Sequence, residues 1–263
     1  MLKKLLKYDL KDVYKLLVVF YVIAILCAIL TRLFFSIDNS AIFNVLGYIA
    51  SGTLISMFFN ILINSLMRVW VRFKKNLYGD ESYLTHTLPV SKKSIYLSKF
   101  LTSIITMFSS VLVMVLCAFI AYYSKENMVV VRDFLQIMAS IYDSTMIGII
   151  LIIFFVFFLE MVFALQCGYT GMILGHRSNN GKMAKSVLYG FGSYMGFQVF
   201  TLLLLFIVSL FNSDVKMLFT TSEVVNMGII KNIMFGAIII YGIYIFICYI
   251  INMKLFEKGV NVE

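Results

Sequence analysis

The chain has 263 residues, of which 62% are hydrophobic and only 13% are charged, and its formal net charge is +9. Soluble globular domains contain about 45–50% apolar and roughly 25% charged residues. The composition therefore excludes an ordinary soluble globular protein. It also excludes an intrinsically disordered chain, because such chains are poor in apolar residues.

Residues 1–15 alternate apolar and basic side chains at helical spacing. Leu2, Leu5, Leu6, Leu10 and Val13 share one face, and Lys3, Lys4, Lys7, Lys11 and Lys15 lie mostly elsewhere. The pattern predicts an amphipathic helix in the membrane interface with its apolar face towards the lipid. The alternative is a simple extension of the first span.

The rest of the chain divides into six apolar runs, each long enough to cross about 30 Å of hydrocarbon. A single proline fits a chain of mostly unbroken helices. We therefore predict an all-α integral membrane protein, with residues 1–263 as one transmembrane domain. The predicted spans are residues 16–35, 41–67, 96–123, 144–174, 187–211 and 228–253.

The distribution of basic residues predicts the orientation of the spans. Most of the 22 Lys and Arg residues fall in the N-terminal segment, in the loops after spans 2 and 4, and in the C-terminal tail. Positively charged loops stay in the cytoplasm, so both termini are expected there. This topology, together with anionic headgroups, accounts for the net charge of +9. We do not expect a nucleic-acid partner.

The loop at residues 68–95 carries signals for a short helix between spans 2 and 3. Asp80 is the expected N-cap, Leu84 and Leu88 lie four residues apart on one face, and Pro89 ends the helix. Ser91 is expected to cap the next helix, which continues into span 3. A helix of two turns is unstable alone in water. It must therefore dock, either on the membrane face of its own protein or on a soluble partner.

The run from Gly79 to Ser91, GDESYLTHTLPVS, followed by Ser98 and Lys99, resembles the first cytoplasmic loop of type-2 ATP-binding-cassette (ABC) exporter permeases. His86 stands where members commonly carry an apolar residue. Six spans with cytoplasmic ends are similar as well. So are a turn from Gly171 to Gly175 out of span 4 with His176 and Arg177 behind it, and the tail at residues 260–263.

The resemblance implies that the loop holds a coupling helix seated in a groove of a separate ATPase subunit. The expected contact residues are Glu81, Tyr83, Leu84, Thr87 and Leu88. The partner subunit would bind ATP and magnesium, and this chain itself would hold no cofactor. The permease would form a homodimer, or a heterodimer with a similar chain, in a plasma membrane that is most simply bacterial. The alternative for the loop is a re-entrant or interfacial helix without a partner.

Catalytic and metal-binding motifs are not expected in this chain. The string nearest to a phosphate-binding loop, Gly175 to Gly181-Lys182, has five intervening residues instead of four and continues with Met183. No strand is expected before it. The cysteines are far apart and form no CxxC pair. We therefore predict no catalytic residues, no metal ligands and no enzymatic activity in the chain itself.

Three groups of small or polar residues lie inside the spans, where polar groups are costly. Each group either packs helix against helix or lines a substrate path. In the resembled family spans 2 and 5 flank the dimer cleft, which strengthens the path alternative for the first group. The groups are Gly52, Ser56, Asn60 and Asn64 in span 2; Ser98, Thr102 and Thr106 in span 3; and Gly192 and Gly196, expected as a close-approach pair, in span 5.

Glu160 stands alone among apolar residues in span 4 and has no evident companion. A carboxylate near the middle of a span costs about 2.5–3.5 kcal/mol on insertion scales. It is a candidate for a cationic-substrate site or a conformational latch. The alternative is a structural hydrogen bond to a neighbouring span.

Three function classes follow from these patterns. The first is the permease subunit of an ABC exporter of an unidentified substrate such as a peptide, an antibiotic or a lipid. The second is a self-contained membrane resistance or sensor protein without an ATPase partner, and the third is a membrane enzyme. The outer loops, at about residues 124–143 and 212–226, are too short for a folded domain.

Overall fold

The structure is a computed structural model that describes residues 2–37, 40–220 and 227–258. These residues are almost entirely helical, and none of those described forms a strand. The tail at residues 260–263, which carries one of the family similarities, lies outside the described residues, as do residues 221–226 of the second outer loop. The helices are α1 (Leu2–Phe35), α2 (Ala41–Leu77), α3 (Ser82–Thr87), α4 (Lys92–Tyr122), α5 (Lys125–Ile141), α6 (Met146–Gly175), α7 (Lys182–Phe211), α8 (Ser213–Thr220) and α9 (Met227–Glu257).

Six of the helices in the described part of the chain are long and apolar enough to cross a membrane: α1, α2, α4, α6, α7 and α9. They coincide with the six predicted spans. The prediction of an all-helical, multi-pass membrane protein is therefore confirmed.

The chain divides into two compact units, Met1–Val131 and Arg132–Val262. In the first unit, α1 packs against α2 and α4, α2 also packs against α4, and α3 rests on α2. In the second unit, α6 packs against α7 and α9, and α7 contacts α8.

Residues 2–15 form one uninterrupted helix with the first span. No glycine or proline separates the two segments, so nothing in the sequence ends the helix at residue 15. The five lysines of this segment are exposed and its leucines are half-buried, as the amphipathic pattern predicts. The segment is thus continuous with the span, which is the alternative given above, while its position in the interface stays a prediction.

Helix α2 runs ten residues beyond the predicted end of span 2. The basic residues after position 67 suggested a loop, but Val69, Phe73 and Leu77 continue the helical spacing and are buried. Burial of this apolar stripe outweighs the charges on the opposite side of the helix. At about 1.5 Å per residue, α2 is roughly 55 Å long and reaches well past the hydrocarbon layer.

The polar stripe of span 3 is buried inside the first unit. Ser98, Thr102 and Thr106 are almost fully enclosed, and the two threonine hydroxyls each donate to the carbonyl oxygen four residues earlier. One turn further on, Ser110 shares hydrogen bonds with Tyr21 of α1 at 2.6 Å and with Ser65 of α2 at 2.7 Å. These residues therefore pack helix against helix, which was one of the two alternatives.

The closest helix contact of the second unit differs from the predicted one. A Cβ atom added at Gly192 or Gly196 would meet nothing within 4 Å, so these residues are not a close-approach pair. A Cβ at Gly171 would lie 2.5 Å from the backbone nitrogen of Gly190, and one at Gly175 would strike Ser186. The predicted turn from Gly171 to Gly175 is instead the last helical turn of α6, where it presses against α7.

Both segments predicted as outer loops contain helices. The first is mostly α5, and the second begins with the short helix α8. Neither segment forms a separate domain in its described residues.

Candidate functional site

The short predicted helix is present as α3, and its ends follow from local sequence. Gly79 and Tyr78 close the end of α2 by donating from their backbone N–H groups to the carbonyl oxygen of Lys74. The helix ends at Thr87, because Leu88 must adopt an extended backbone before Pro89.

Of the two predicted helix caps, one is confirmed and one is wrong. Ser91 caps α4 as predicted: its hydroxyl accepts a hydrogen bond from the backbone N–H of Ser94 at 3.3 Å. The predicted N-cap of α3, Asp80, is wrong by one residue, because Glu81 occupies that position. The Glu81 carboxylate makes no capping hydrogen bond, since it is held by side chains of α2.

Four of the five predicted docking residues are exposed together on α3 and at its end. Tyr83 and Leu84 are 70% and 72% exposed, and Thr87 and Leu88 are exposed beside them. The spacing i, i+1, i+4, i+5 places them on one side of the helix. We call these four residues the α3 face. It combines two large apolar side chains with a tyrosine and a hydroxyl.

The fifth predicted docking residue, Glu81, points away from that face into a group of charged side chains. Lys75 donates to one carboxylate oxygen at 2.8 Å, Arg72 donates to the other at 3.0 Å, and Asn76 donates to that second oxygen as well. The hydrogen bond from Lys75, aided by the charge of Arg72, lowers the pKa of the Glu81 carboxyl below its ordinary value. Glu81 therefore anchors α3 to α2 as an anion.

The same group of side chains continues into the interior of the first unit. Arg72 Nε lies 3.2 Å from Asp9 Oδ1, and Lys99 Nζ donates to the same Asp9 oxygen at 2.6 Å. Lys99 also donates to the side-chain oxygen of Asn76, and Ser98 donates to Asp9 at 3.4 Å. Asp9 and Lys99 are only 3% and 6% exposed.

We call this group the ion cluster; its members are Asp9, Asp12, Arg72, Lys75, Asn76, Glu81 and Lys99. It joins α1, α2 and α4 to the start of α3. Three acidic side chains face three basic ones, so the cluster is neutral as a whole. Asp9 and Lys99 form the buried part of the cluster, whereas Asp12 and Lys75 are exposed. The buried charges favour one register of their helices, because a shift of a helix would leave a buried charge unpaired.

A cavity of about 220 Å³ lies beside the ion cluster in the first unit. Residues of α1, α3 and α4 form its apolar walls. The apolar lining residues include Leu5, Tyr8, Leu84, Leu88 and Ile95. Leu84 and Leu88 belong to both the α3 face and this lining, so no packed core lies directly beneath that part of the face.

Three residues of the ion cluster, Asp9, Arg72 and Lys99, are not among the predicted site residues. Arg72 entered the prediction only as a basic residue that sets the orientation, and Lys99 as such a residue and as part of the string that carries the family resemblance. A usable signal existed at Asp9, which lies on the same face as Val13, Leu17 and Tyr21, all buried in α1. An acidic residue within a buried stripe predicts a buried basic partner.

The predicted stripe of span 2 lies outside the packed interior. Gly52, Ser56 and Asn60 are exposed and Asn64 is half-buried. The side chains of Ser56, Asn60 and Asn64 each donate to the carbonyl oxygen four residues earlier, so one donor of each side chain is paired within α2. A Cβ at Gly52 would meet nothing within 4 Å. Both alternatives for this stripe, helix packing and a substrate path, stay predictions.

Glu160 has companions in the second unit. The hydroxyl of Tyr194 on α7 donates to its carboxylate at 3.1 Å, and Tyr241 on α9 interacts with the same group. The ring of Phe163, one turn further along α6, packs against Tyr194 and Tyr241 with centroid distances of 5.3 Å in both cases. Glu160 therefore makes the structural hydrogen bond to a neighbouring span that was one of its alternatives.

The site thus consists of an exposed α3 face, an ion cluster that ties α3 to three spans, and a cavity between them. No protein-family model, no curated protein and no solved structure matches this chain.

Proposed function

We propose that this chain is the permease subunit of an ABC exporter and that a separate ATPase subunit docks on the α3 face. In this proposal the partner binds ATP and magnesium, and its conformational changes push α3. The exported substrate is a peptide, an antibiotic or a lipid. The chain itself carries no catalytic or metal-binding residue.

The observation that supports this proposal most strongly is the combination of exposure and anchoring in α3. Tyr83 and Leu84 are more than two-thirds exposed, although α3 is bound through Glu81 to an ion cluster whose inner members are buried. Exposed large apolar side chains on a firmly held element are typical of a protein-binding surface. An element meant only to lie in solvent would not need such an anchor.

The ion cluster offers a route by which movement of α3 reaches the spans. Arg72 contacts both Glu81 and Asp9, so it connects α3 to α1 directly. Lys99 extends the same chain of contacts to α4. A partner that binds α3 differently in its two nucleotide states would therefore bias the arrangement of three spans.

The remaining parts of the proposal concern assembly and location. We place both termini and α3 in the cytoplasm on the basis of the basic loops. We place the spans in a bacterial plasma membrane on the basis of the family resemblance alone. The permease forms a homodimer, or a heterodimer with a similar chain. The exposed stripe of Gly52, Ser56, Asn60 and Asn64 faces the second permease subunit or the substrate path between the two.

The test is affinity purification of the tagged chain from its native membrane in mild detergent, with mass spectrometry of the proteins that accompany it. We expect a stoichiometric ATPase with the wild-type chain and with Leu84→Met, which keeps the face apolar. We expect its loss with Leu84→Glu and Leu88→Glu at unchanged levels of the chain in the membrane. Recovery of the intact chain without an ATPase, with and without nucleotide, would instead support a self-contained membrane protein.

A further inference from the structure

Helix α5 has no buried residue, although it lies between two membrane-spanning helices. Only residues 123–124 separate it from α4, and residues 142–145 separate it from α6. It therefore begins and ends at the membrane boundary, at the end of α4 that is remote from α3.

Both ends of α5 are fixed by short, defined turns. The Ser124 hydroxyl accepts a hydrogen bond from the backbone N–H of Asn127, and the Asn127 side chain donates to the last-turn carbonyl oxygen of Tyr122 in α4. At the other end, Asp143 adopts a left-handed backbone with φ of 46°, which reverses the chain before α6. These turns hold α5 close to the ends of both spans.

The side chains of α5 separate into an apolar and a polar face at 100° per residue. The apolar face includes Val130, Val131, Phe134, Leu135, Ile137 and Met138. The polar face carries Lys125, Glu126, Arg132, Asp133, Gln136 and Ser140. Two residues depart from this separation. Asn127 lies on the apolar side, where its amide donates to the carbonyl oxygen of Tyr122, and Val129 lies on the polar side between Gln136 and Ser140.

The apolar face is largely uncovered by the protein. Val130 is 68% exposed and Ile137 is 61% exposed, with Phe134 exposed between them. Both neighbours of α5 in the chain also expose a large apolar side chain where they join it, Phe119 in the last turn of α4 and Ile147 in the first turn of α6. Because α4 and α6 are each long and apolar enough to cross a membrane, lipid is the environment that an uncovered apolar face at their ends would meet.

We infer that α5 lies flat in the membrane interface, with its apolar face in the lipid and its polar face in water. An amphipathic helix of about 26 Å, at 1.5 Å per residue, binds in this position with its apolar side about 5–10 Å into the boundary of headgroups and acyl chains. The partner of this surface is therefore the lipid itself. The inference does not depend on an ATPase partner.

The charges of α5 indicate how it binds. Lys125 and Arg132 are balanced by Glu126 and Asp133, so the polar face is neutral. By contrast, the segment at residues 2–15 carries five lysines. Anionic headgroups attract a basic helix but give no net attraction to a neutral one. Binding of α5 to the interface is therefore driven by its apolar face and is independent of anionic lipid.

The experiment uses the full chain in phosphatidylcholine vesicles. Trp70 is the only tryptophan, so Trp70→Phe gives a background in which a single new tryptophan reports its own surroundings. Phe134→Trp places it on the apolar face, and the matched control Gln136→Trp places it on the polar face two residues away. Ile137→Trp is a second apolar-face variant in case position 134 does not tolerate the change.

We expect the tryptophan at position 134 or 137 to emit at shorter wavelength than the one at position 136. It should also be quenched more by lipids brominated on their acyl chains and less by acrylamide in the water. Adding phosphatidylglycerol should leave these differences unchanged. Equal quenching on both faces would overturn the inference, and a response that appears only with anionic lipid would overturn the proposed mode of binding.

Discussion

Removing both partners of the buried pair formed by Asp9 and Lys99 should destabilise the first unit no more than removing either partner alone. The two side chains are almost fully enclosed, and their 2.6 Å contact lies at the centre of the ion cluster. Lys99→Met leaves the carboxylate of Asp9 buried without its closest partner. Asp9→Asn leaves the lysine without its carboxylate. The double variant removes both charges at once.

The expected magnitudes follow from the contacts that remain. Breaking a buried ion pair by removing one partner costs about 3–5 kcal/mol, because an uncompensated charge stays in the interior. After Lys99→Met, Asp9 keeps Arg72 at 3.2 Å and Ser98 at 3.4 Å, so we expect about 3 kcal/mol. Asp9→Asn should cost a similar amount. The double variant should cost no more than either single one, which gives a coupling energy of about 3 kcal/mol.

The assay is a double-mutant cycle by reversible unfolding of the purified chain in mixed micelles, with sodium dodecyl sulfate as the denaturant. Two exposed residues of α1 serve as controls. Asp12 also contacts Arg72, at 3.3 Å, but it is largely exposed, so Asp12→Asn should cost at most about 1 kcal/mol. Lys11→Met changes an exposed lysine and should stay within about 0.5 kcal/mol.

Additive effects of the two single substitutions, to within about 0.5 kcal/mol, would refute the reasoning. They would mean that Asp9 and Lys99 do not stabilise the protein through one another. A loss for Asp12→Asn as large as that for Asp9→Asn would also contradict it, since burial is what separates the two residues.

Three further predictions concern other parts of the two units. Gly171→Ala should destabilise the second unit by about 1–3 kcal/mol in the same unfolding assay, because its new Cβ meets backbone atoms of α7. Gly192→Ala has open space and should be neutral or slightly stabilising. The hydrogen bond from Lys75 to the Glu81 carboxylate should stabilise α3 fully above pH 4.5, the ordinary pKa of a glutamate side chain. This stabilisation should be lost as the pH falls through the lower pKa that Glu81 has in the folded protein. The rate of hydrogen exchange in α3, corrected for its intrinsic pH dependence, should therefore rise below pH 4.5. Tyr194→Phe should cost about 1.5–3 kcal/mol, because it removes a hydrogen bond to a carboxylate inside the bilayer region.

Each of these three has an outcome that would contradict it. Equal stability of the two alanine variants would mean that α6 and α7 are not in close contact at Gly171. Two results would show that the Glu81 carboxylate does not anchor α3. One is hydrogen exchange of α3 that does not change with pH in the wild-type chain. The other is a pH response that persists in Glu81→Gln. Unchanged stability of Tyr194→Phe would mean that another donor replaces the hydroxyl.

The spans could be predicted from the sequence because each is a long apolar run. Their ends are set by the helical spacing of apolar residues within segments that also carry charges. Span 2 was ended too early because Arg72 and its basic neighbours resemble a loop. The buried spacing of Val69, Phe73 and Leu77 was the better guide, since a helix can carry charges on one face and bury the other. The segment of α5 was predicted as an outer loop for the same reason, because its charged residues lie on one face of an amphipathic helix.

The helix contacts were harder to predict, because several segments share the same spacing. Three pairs of small residues have a spacing of four positions: Gly171 and Gly175, Ser186 and Gly190, and Gly192 and Gly196. Small residues allow close approach but do not decide which pair meets. That choice depends on the packing of the whole unit, where α6 meets the side of α7 that carries Ser186 and Gly190.

Within the candidate site, the sequence predicted the exposed α3 face but not its anchor. The residues of the face are adjacent in the chain, and a string of thirteen residues was enough to identify them. Asp9 and Lys99 are 90 positions apart, so no local pattern joins them. Only the buried position of Asp9 on α1 hinted that a basic partner was required.

The separation of these partners along the chain has a consequence for biosynthesis. Asp9 is made 63 residues before Arg72 and 90 residues before Lys99. At a synthesis rate of about 5–20 residues per second, the lysine follows the aspartate by about 5–18 seconds. Until the lysine is made, the acidic group of α1 lacks its closest partner, although Arg72 is already present. Helix α1 can therefore complete its contacts in the ion cluster only after α4 has been made.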